Sequence, residues 1–174
     1  MFKKIKMSIP EKMKPWMGFI GRLAFLLIVV WVIFGLIFGI DRMSGVAMNP
    51  SLKDGELMLY TRMNSGYKAN DVVLYRHDGT TQVSRVIATE DQIVDLNEEG
   101  YITVNGIVES SDVVYDVSDS NIAASGIFPF RVPTNTYFVL NDNYNYTEDS
   151  RSFGAIDSRD IFGRVVTTLK VRDI

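Results

Sequence analysis

The stretch from residue 70 to residue 88, NDVVLYRHDGTTQVSRVIA, decides the fold class of this 174-residue chain. It contains two runs rich in Val, Ile and Tyr, at residues 72–76 and 82–88, and such runs are typical of β-strands. The polar residues 76–79 stand between the two runs and predict a tight turn. The stretch therefore predicts a β-hairpin.

The rest of the chain after residue 41 continues this pattern of short apolar or alternating runs separated by turn residues. Further strands are predicted at residues 57–62, 92–96, 101–104, 113–117, 136–140 and 161–171. Asn105-Gly106 is a strong signal for a two-residue hairpin turn. We expect one all-β domain of mostly antiparallel, barrel-like folded sheets.

The first forty residues differ from this domain and indicate a membrane anchor. Residues 23–40, LAFLLIVVWVIFGLIFGI, contain no charge, and a helix of roughly 18 to 25 residues spans about 27–37 Å, enough for a bilayer core. A cleaved secretory signal has a shorter apolar region that ends in a small-residue cleavage site, and no such site follows residue 40. The sequence predicts a single transmembrane helix at residues 17–40.

The charge distribution predicts the orientation of this anchor. Residues 1–40 carry six basic side chains and one acidic side chain, whereas the remaining 134 residues carry 12 basic and 20 acidic side chains. Basic residues flanking a span favour the cytoplasmic side. We therefore expect a basic cytoplasmic N-terminus at residues 1–16, a single-pass location in the cell membrane, and an extracellular domain at residues 41–174.

Composition excludes several classes of function. An acidic domain disfavours nucleic-acid binding, which requires a basic face to neutralise phosphates. The chain has no Cys and one His, so we expect no disulfide framework, no metal site and no cysteine nucleophile. No cofactor is predicted.

Five segments of the chain resemble, in order, the conserved boxes of the type I signal peptidases. The segment at 44–52, Ser-Gly-Val-Ala-Met-Asn-Pro-Ser-Leu, resembles the family's Gly-x-Ser-Met-x-Pro-Thr-Leu box, and residues 70–75 resemble its Gly-Asp-Ile-Val-Val-Phe strand. Residues 84–88 resemble the Lys-Arg-Val-Ile-Gly box, and residues 141–154 resemble the Gly-Asp-Asn…Ser-x-Asp-Ser-Arg-x-Phe-Gly box. The closing Ile-x-Gly-Arg-Val strand is matched at 161–165. The resemblance implies the family's all-β, two-barrel-like catalytic domain behind an N-terminal anchor.

The two residues that carry the family's catalysis are absent at the matching positions. The family uses a serine nucleophile and a lysine base of lowered pKa, but Ala47 and Ser84 stand in their places. A methyl group cannot attack a carbonyl carbon, and a neutral hydroxyl is a poor base. An engineered Ser→Ala substitution would explain Ala47 alone; Ser84 favours natural loss of the dyad. The resemblance therefore predicts a pseudoenzyme.

The resemblance also identifies residues of the former catalytic cleft. The matching residues that we expect to line or support it are Ser44, Gly45, Met48, Pro50, Arg85, Asp142, Asn143, Asp149, Ser150 and Arg151. With the dyad absent, Asp149 and Arg151 are expected to brace the connection after residue 140. Asn141, Asn143 and Ser150 are expected to satisfy backbone groups there. The polar and aromatic residues 144–146 are either a binding surface or an ordinary exposed loop.

The resemblance to the catalytically inactive signal-peptidase-like proteins found with sortase-assembled pili of Gram-positive bacteria implies a chaperone-like accessory role. The implied partners are pilin subunits or the pilus sortase, and the implied mode of binding is β-strand addition. One alternative is an active signal peptidase with a displaced nucleophile, for which Ser44, Ser51, Lys53 and His77 are weak candidates. Another is a remodelled domain whose cleft has closed and which binds through an outer surface.

Overall fold

A computed structural model describes residues 14–63, 66–98, 100–109 and 127–169 of the chain. The chain divides into two compact units, Met1–Ile37 and Phe38–Ile174. The strand predicted at residues 113–117 lies outside the described residues, as do residues 1–13 of the predicted basic N-terminus.

The first unit contains the apolar helix. Helix α1 spans Lys14–Val32 and continues into a π-helical segment at Ile33–Ile37. The part Gly18–Ile37 is long and apolar enough to cross a membrane, with a mean hydropathy of 2.6. Residues 38–40 of the predicted anchor are not helical, because Phe38–Arg42 is extended and pairs with Leu57–Thr61 in the second unit.

The second unit consists of eleven strands and one helical turn within the described residues. The strands are β1 Phe38–Arg42, β2 Leu57–Thr61, β3 Val72–His77, β4 Thr80–Ala88, β5 Ile93–Leu96, β6 Ile102–Val104, β7 Ile107–Val108, β8 Phe130–Arg131, β9 Thr136–Leu140, β10 Ile156–Asp157 and β11 Ile161–Leu169. Helix α2 is the single turn Ser150–Phe153 between β9 and β10.

The strands form two sheets in which every neighbouring pair is antiparallel. The larger sheet has the order β1-β2-β11-β3-β4-β9-β10, and the smaller sheet has the order β7-β6-β5-β8. The predicted all-β class is confirmed. Strands β7, β8 and β10 were not predicted, because two residues are too few to show an alternating pattern.

Both predicted hairpin turns form at the expected residues. Asp78 and Gly79 join β3 to β4 with φ values of 47° and 77°, and Asn105 and Gly106 join β6 to β7 with φ values of 52° and 80°. Two consecutive positive φ angles match the right-handed twist of paired strands, and Asn, Asp and Gly tolerate them best. The turn chemistry of the sequence therefore determines these two registers.

A core beneath β2, β3 and β4 supports the segment that follows β1. Met43, Met48, Leu52, Met58 and Leu74 are buried together there. Burying a side chain of this size stabilises the fold by about 1.5–3 kcal/mol. Because Met43, Met48 and Leu52 are anchored in this way, the segment between them is held against the larger sheet.

Candidate functional site

A groove of about 440 Å³ lies between the end of β1 and the beginning of β4. Methionine, valine and alanine side chains line part of it, and polar or charged groups line the remainder. The lining residues are Asp41, Arg42, Met43, Ser44, Ala47, Met58, Thr80, Thr81, Gln82, Val83, Asn141, Tyr146 and Glu148. A groove of this size can accept a few residues of an extended peptide.

One wall of the groove is the first half of β4, which is paired with β3 on one side but not with β9 on the other. Strand β9 pairs with β4 only from Arg85 onward. Val86 donates its N–H to Asp71 on the β3 side, and Arg76 in β3 donates away from β4 to Asp160. Because hydrogen-bonding direction alternates along an antiparallel strand, the N–H and C=O groups of Thr81 and Val83 point away from β3. In the described part of the chain β9 does not pair with these two residues, so their outward backbone groups have no strand partner on that side.

The opposite wall is the end of β1, which is an edge strand of the larger sheet. Met43 donates its N–H to Glu56 and accepts from Gly55, so Met43 faces the β2 side. By alternation, the C=O of Arg42 points to the open side, while the N–H of Arg42 bonds to Asp41 Oδ1 at 2.7 Å. The groove thus lies between two open strand edges.

Ala47, which the sequence resemblance aligns with the family's nucleophile, lies half-buried in this groove. Of the residues around it in the first box, Ser44 and Pro50 are exposed and Met48 is fully buried. Gly45 has a φ of 84° and donates its N–H to Asp54 Oδ1 at 2.8 Å. A positive φ favours glycine over every other residue, so Gly45 allows the turn that brings Ala47 to the groove.

Ser84, which the sequence resemblance aligns with the family's lysine, is fully buried and hydrogen-bonded. Its Oγ donates to Asn141 Oδ1 at 2.7 Å and lies 3.0 Å from the hydroxyl of Tyr75. The Tyr75 hydroxyl is also 2.9 Å from Gln82 Oε1. Burial raises the pKa of Tyr75 far above its ordinary value, so this cluster is uncharged at neutral pH.

Arg85 and Asp142 form a bidentate ion pair beside this cluster. Arg85 Nε donates to Asp142 Oδ1 at 2.8 Å and Nη2 donates to Oδ2 at 2.6 Å, while Nη1 reaches the C=O of Asn70. The Asp142 side chain is fully buried and that of Arg85 is 18% exposed. The pair connects β4 to the segment after β9, with the planar geometry for which arginine is suited.

Asn143 joins the same segment to the first box. Its N–H donates to the C=O of Ala47 at 2.9 Å, and its Nδ2 donates to the C=O of Val46 at 3.0 Å. The position of Ala47 in the groove therefore depends on a residue that is distant in sequence.

A buried hydrogen-bond network supports the loop at residues 144–148. Its members are Asp149, Ser150 and Arg151. Arg151 donates to both carboxylate oxygens of Asp149 and to the C=O groups of Tyr144 and Tyr146. Ser150 Oγ accepts the N–H of Val139 at 2.9 Å. This buried network determines the path of a loop whose Tyr146 and Glu148 line the groove.

The loop also carries a polar pair at the surface of the groove. The Tyr146 hydroxyl donates to Glu148 Oε2 at 3.0 Å. This hydrogen bond to a carboxylate raises the pKa of Tyr146. The loop thus presents a neutral phenol and a carboxylate to any ligand.

The residues considered as substitute catalysts are placed differently from one another. Ser44 lines the groove, whereas Ser51 and Lys53 are exposed outside its lining. The His77 ring stacks on Phe153 with centroids 3.9 Å apart, at the hairpin beyond Thr80. Among the described residues that line the groove there is no Lys or His to accept a proton from Ser44. The described residues also contain no group of three His, Cys, Asp or Glu side chains suited to a metal ion.

Several groove residues were not predicted from the sequence, notably Asp41, Arg42 and Gln82. The contact of Tyr75 with Ser84 was not predicted either. For Tyr75 a signal was available: the quoted box has Phe at this position, so the hydroxyl is an additional polar group that needs a partner. Similarly, Asn141 stands where the quoted box has Gly. No sequence signal indicates the groove residues of β1, because their exposure depends on which strands pair.

Comparisons with known proteins find one family model and several relatives that are similar to this chain. The family model described as signal peptidase, peptidase S26, matches residues 16–169. Signal peptidase I V of Bacillus subtilis (strain 168) is 27% identical over 139 residues, covering 70% of this chain and 80% of that protein. The inactive signal peptidase IA of Staphylococcus aureus (strain N315) is 28% identical over 134 residues, covering 68% of this chain and 71% of that protein. The crystal structure of a signal peptidase I from Enterococcus faecalis V583 superposes with a TM-score of 0.48 at 23% identity, covering 60% of this chain and 100% of that chain.

Proposed function

Because the chain belongs to the signal peptidase family, peptidase S26, we propose that it is a non-catalytic member that binds extended peptide segments. In this proposal it acts as a chaperone-like accessory factor in the assembly of sortase-dependent pili. Its partners are pilin subunits or the pilus sortase. The pilus assignment rests on the sequence resemblance, whereas the binding role rests on the groove.

The observation that carries the loss of catalysis is the chemistry at the two dyad positions. Ala47 presents a methyl group to the groove. Ser84 uses its single proton in a 2.7 Å hydrogen bond to Asn141, and its two side-chain partners among the described residues, Asn141 and Tyr75, are neutral. Without a nucleophile no oxyanion forms, so donors near the groove have no transition state to stabilise. The inactive signal peptidase IA of Staphylococcus aureus supports a non-catalytic member of this family.

The two open strand edges support the binding role. An extended segment placed between β1 and β4 would pair with the C=O of Arg42 on one side and with the backbone of Thr81 and Val83 on the other. Such β-addition obtains affinity from main-chain hydrogen bonds and specificity from alternate side chains. The groove volume also weighs against the reading in which the cleft has closed.

The apolar helix supports a location at the membrane. Basic residues precede Gly18–Ile37, which favours a cytoplasmic N-terminus and an extracellular second unit. An anchored binding domain encounters other anchored chains at a raised effective concentration. A low affinity of the groove for its peptide would therefore suffice when the partner is also bound to the membrane.

A second candidate is an active peptidase in which Ser44 replaces the lost nucleophile. Its support is the position of Ser44 in the groove. Its weakness is the lack of a Lys or His among the described groove residues, since a serine hydroxyl needs an adjacent base at neutral pH. Two relatives in Bacillus subtilis, named signal peptidase I V and signal peptidase I U, are not called inactive. The experiment below therefore also tests for cleavage.

A binding experiment with the full-length chain in liposomes tests the proposal. Thr81→Pro removes the N–H that faces the groove and leaves the β3 pairing intact, while Thr81→Ala is the matched control that keeps this N–H. We expect a pilin-precursor peptide to bind the original chain and Thr81→Ala, and to bind Thr81→Pro about tenfold more weakly. Mass spectrometry of the same samples should show intact peptide.

Equal binding to both variants would contradict strand addition in this groove. Cleavage that is lost in Ser44→Ala would establish the second candidate instead. Binding of a folded pilin subunit without binding of the peptide would favour the outer-surface alternative.

A further inference from the structure

We infer that Tyr75, Ser84 and Asn141 form a neutral strut in place of the lysine base, and that this strut positions the groove wall formed by residues 144–148. The inference deepens the proposed function, because it assigns to Asn141 a positioning role in peptide binding. It rests on hydrogen bonds between three buried residues and the loop.

The orientation of the Asn141 amide is determined by its partners. Nδ2 donates to the C=O of Tyr146 at 3.0 Å and to the C=O of Glu148 at 3.2 Å. Backbone carbonyls only accept, so the amide nitrogen must face the loop and Oδ1 must face the other way. Asn141 thereby uses both of its N–H donors on the two loop residues that line the groove.

Ser84 completes the strut from the opposite side. Asn141 Oδ1 is buried and requires a donor, and Ser84 Oγ supplies one at 2.7 Å. Since the Ser84 proton is committed to Asn141, Ser84 Oγ acts as an acceptor towards Tyr75, whose hydroxyl donates to it or to Gln82. Hydrogen bonds thus run from β3 through β4 to the loop.

Ser84 and Asn141 satisfy each other's hydrogen-bonding groups, and this gives Ser84 a structural role. A buried serine alone would leave an unsatisfied hydroxyl, and a buried asparagine alone would leave an unsatisfied carbonyl oxygen, each at a cost in stability. Together they satisfy one another and hold the loop from the side that faces β4. Arg151 also bonds this loop, through the C=O groups of Tyr144 and Tyr146. Only Asn141 links the loop to Ser84 in β4, so we assign to Asn141 the position of the loop relative to the groove.

Exchange and binding measurements on the full-length chain in lipid nanodiscs test this role. Asn141→Gly removes the strut, and Asn141→Asp keeps the volume and Oδ1 but removes both donors to the loop. Asn135→Gly is the matched control, because Asn135 is exposed, lies outside the groove lining and has a positive φ of 58° that glycine accommodates. Ser84→Ala removes the hydroxyl, whereas Ser84→Thr keeps it. The two variants together distinguish the loss of the hydroxyl from the effect of any substitution at position 84.

We expect amide hydrogen exchange at residues 144–148 to rise by about tenfold or more in Asn141→Gly, Asn141→Asp and Ser84→Ala. Exchange in β5 and β6 should not change, and Asn135→Gly and Ser84→Thr should resemble the original chain. The affinity for the pilin-precursor peptide should fall by about five- to tenfold in the first three variants.

Unchanged exchange in Asn141→Gly would overturn the inference, and so would a loosened loop with unchanged peptide affinity. If the original chain binds no peptide, the proposed function fails while the exchange data still decide whether the strut exists. A general rise of exchange over the whole second unit in Asn141→Gly but not in Ser84→Ala would assign Asn141 to the core and would also overturn the positioning role.

Discussion

Asp149 and Arg151, two residues apart, form a fully enclosed bidentate ion pair with an Nη2–Oδ2 distance of 2.6 Å and side-chain exposures of 0% and 1%. The pair is not isolated, since Asp149 also accepts the N–H of Asn141 and the N–H of Arg151. Arg151 donates in addition to two loop carbonyls. Because every charge-bearing atom has a partner, the pair tolerates burial that would otherwise be costly.

Removing one member of this pair should destabilise the second unit strongly. In Arg151→Leu the Asp149 carboxylate stays buried without its countercharge, and we expect a loss of about 3–5 kcal/mol in the free energy of unfolding. Urea unfolding followed by near-ultraviolet circular dichroism in detergent micelles measures this loss. Arg159→Ala, which breaks the exposed pair with Asp157, is the control and should leave the urea midpoint nearly unchanged. Similar midpoints for the two variants would contradict the structural role of Arg151.

Buried tyrosines should make the second unit sensitive to alkaline pH. Burial raises the pKa of Tyr75 and of Tyr67 in the folded state above the ordinary value of 10.0. The stability that these neutral phenols contribute is fully present below pH 10 and is lost as the pH rises towards their folded pKa values, because the unfolded chain releases its protons first.

The Tyr75→Phe variant tests this dependence. The urea midpoint of the original chain should fall between pH 9.5 and about pH 11.5, and the fall should be shallower in Tyr75→Phe. Tyr144→Phe, at an exposed position, serves as the control and should follow the original chain. A steeper fall in Tyr75→Phe than in the original chain would show that the sign is wrong.

Restoring the two dyad residues should not by itself restore catalysis. A lysine introduced by Ser84→Lys would meet Asn141 Oδ1 and the Tyr75 hydroxyl, whose oxygens stabilise a charged ammonium and keep it protonated. We expect no cleavage of a pilin precursor by Ala47→Ser with Ser84→Lys.

Adding Tyr75→Phe and Asn141→Gly returns both positions to the residues of the family boxes and removes these two acceptors. Cleavage by this fourfold variant should exceed that of the twofold variant by about 10²-fold or more, as expected for a general base of lowered pKa. Product masses from liposome assays provide the measurement, with Ser84→Lys alone as the control. Equal cleavage by the twofold and fourfold variants would refute the inhibitory role of Tyr75 and Asn141.

Close packing of a tyrosine ring should make Gly163 intolerant of any side chain. A Cβ at Gly163 would collide with the ring of Tyr60, which also covers Gly39 across the sheet. We expect Gly163→Ala to cost about 1–3 kcal/mol in the free energy of unfolding. In a Tyr60→Val background the same substitution should cost much less, so a double-mutant cycle of unfolding measurements should show strong coupling. Additive costs would contradict the collision.

Local sequence chemistry was sufficient to predict most of the fold. Alternating Val, Ile and Tyr runs and the Asp78-Gly79 and Asn105-Gly106 turns predicted strands and hairpins, because side-chain period and positive φ are properties of adjacent residues. The uncharged run at residues 23–40 predicted the apolar helix, because hydropathy is also a property of adjacent residues. Its end at Ile37 was not predictable, since Phe38–Arg42 pairs with β2, which lies further along the chain.

The sequence by itself determined the family resemblance and predicted the loss of the dyad at Ala47 and Ser84, because an alanine methyl and a neutral serine hydroxyl are recognised from residue identity alone. Only the tertiary structure decided that Ser84 meets Asn141, 57 residues away, and that the edges of β1 and β4 enclose a groove. These relationships depend on which strands pair and where β9 stops pairing with β4. Such long-range contacts follow from the packing of the whole sheet and not from any local pattern.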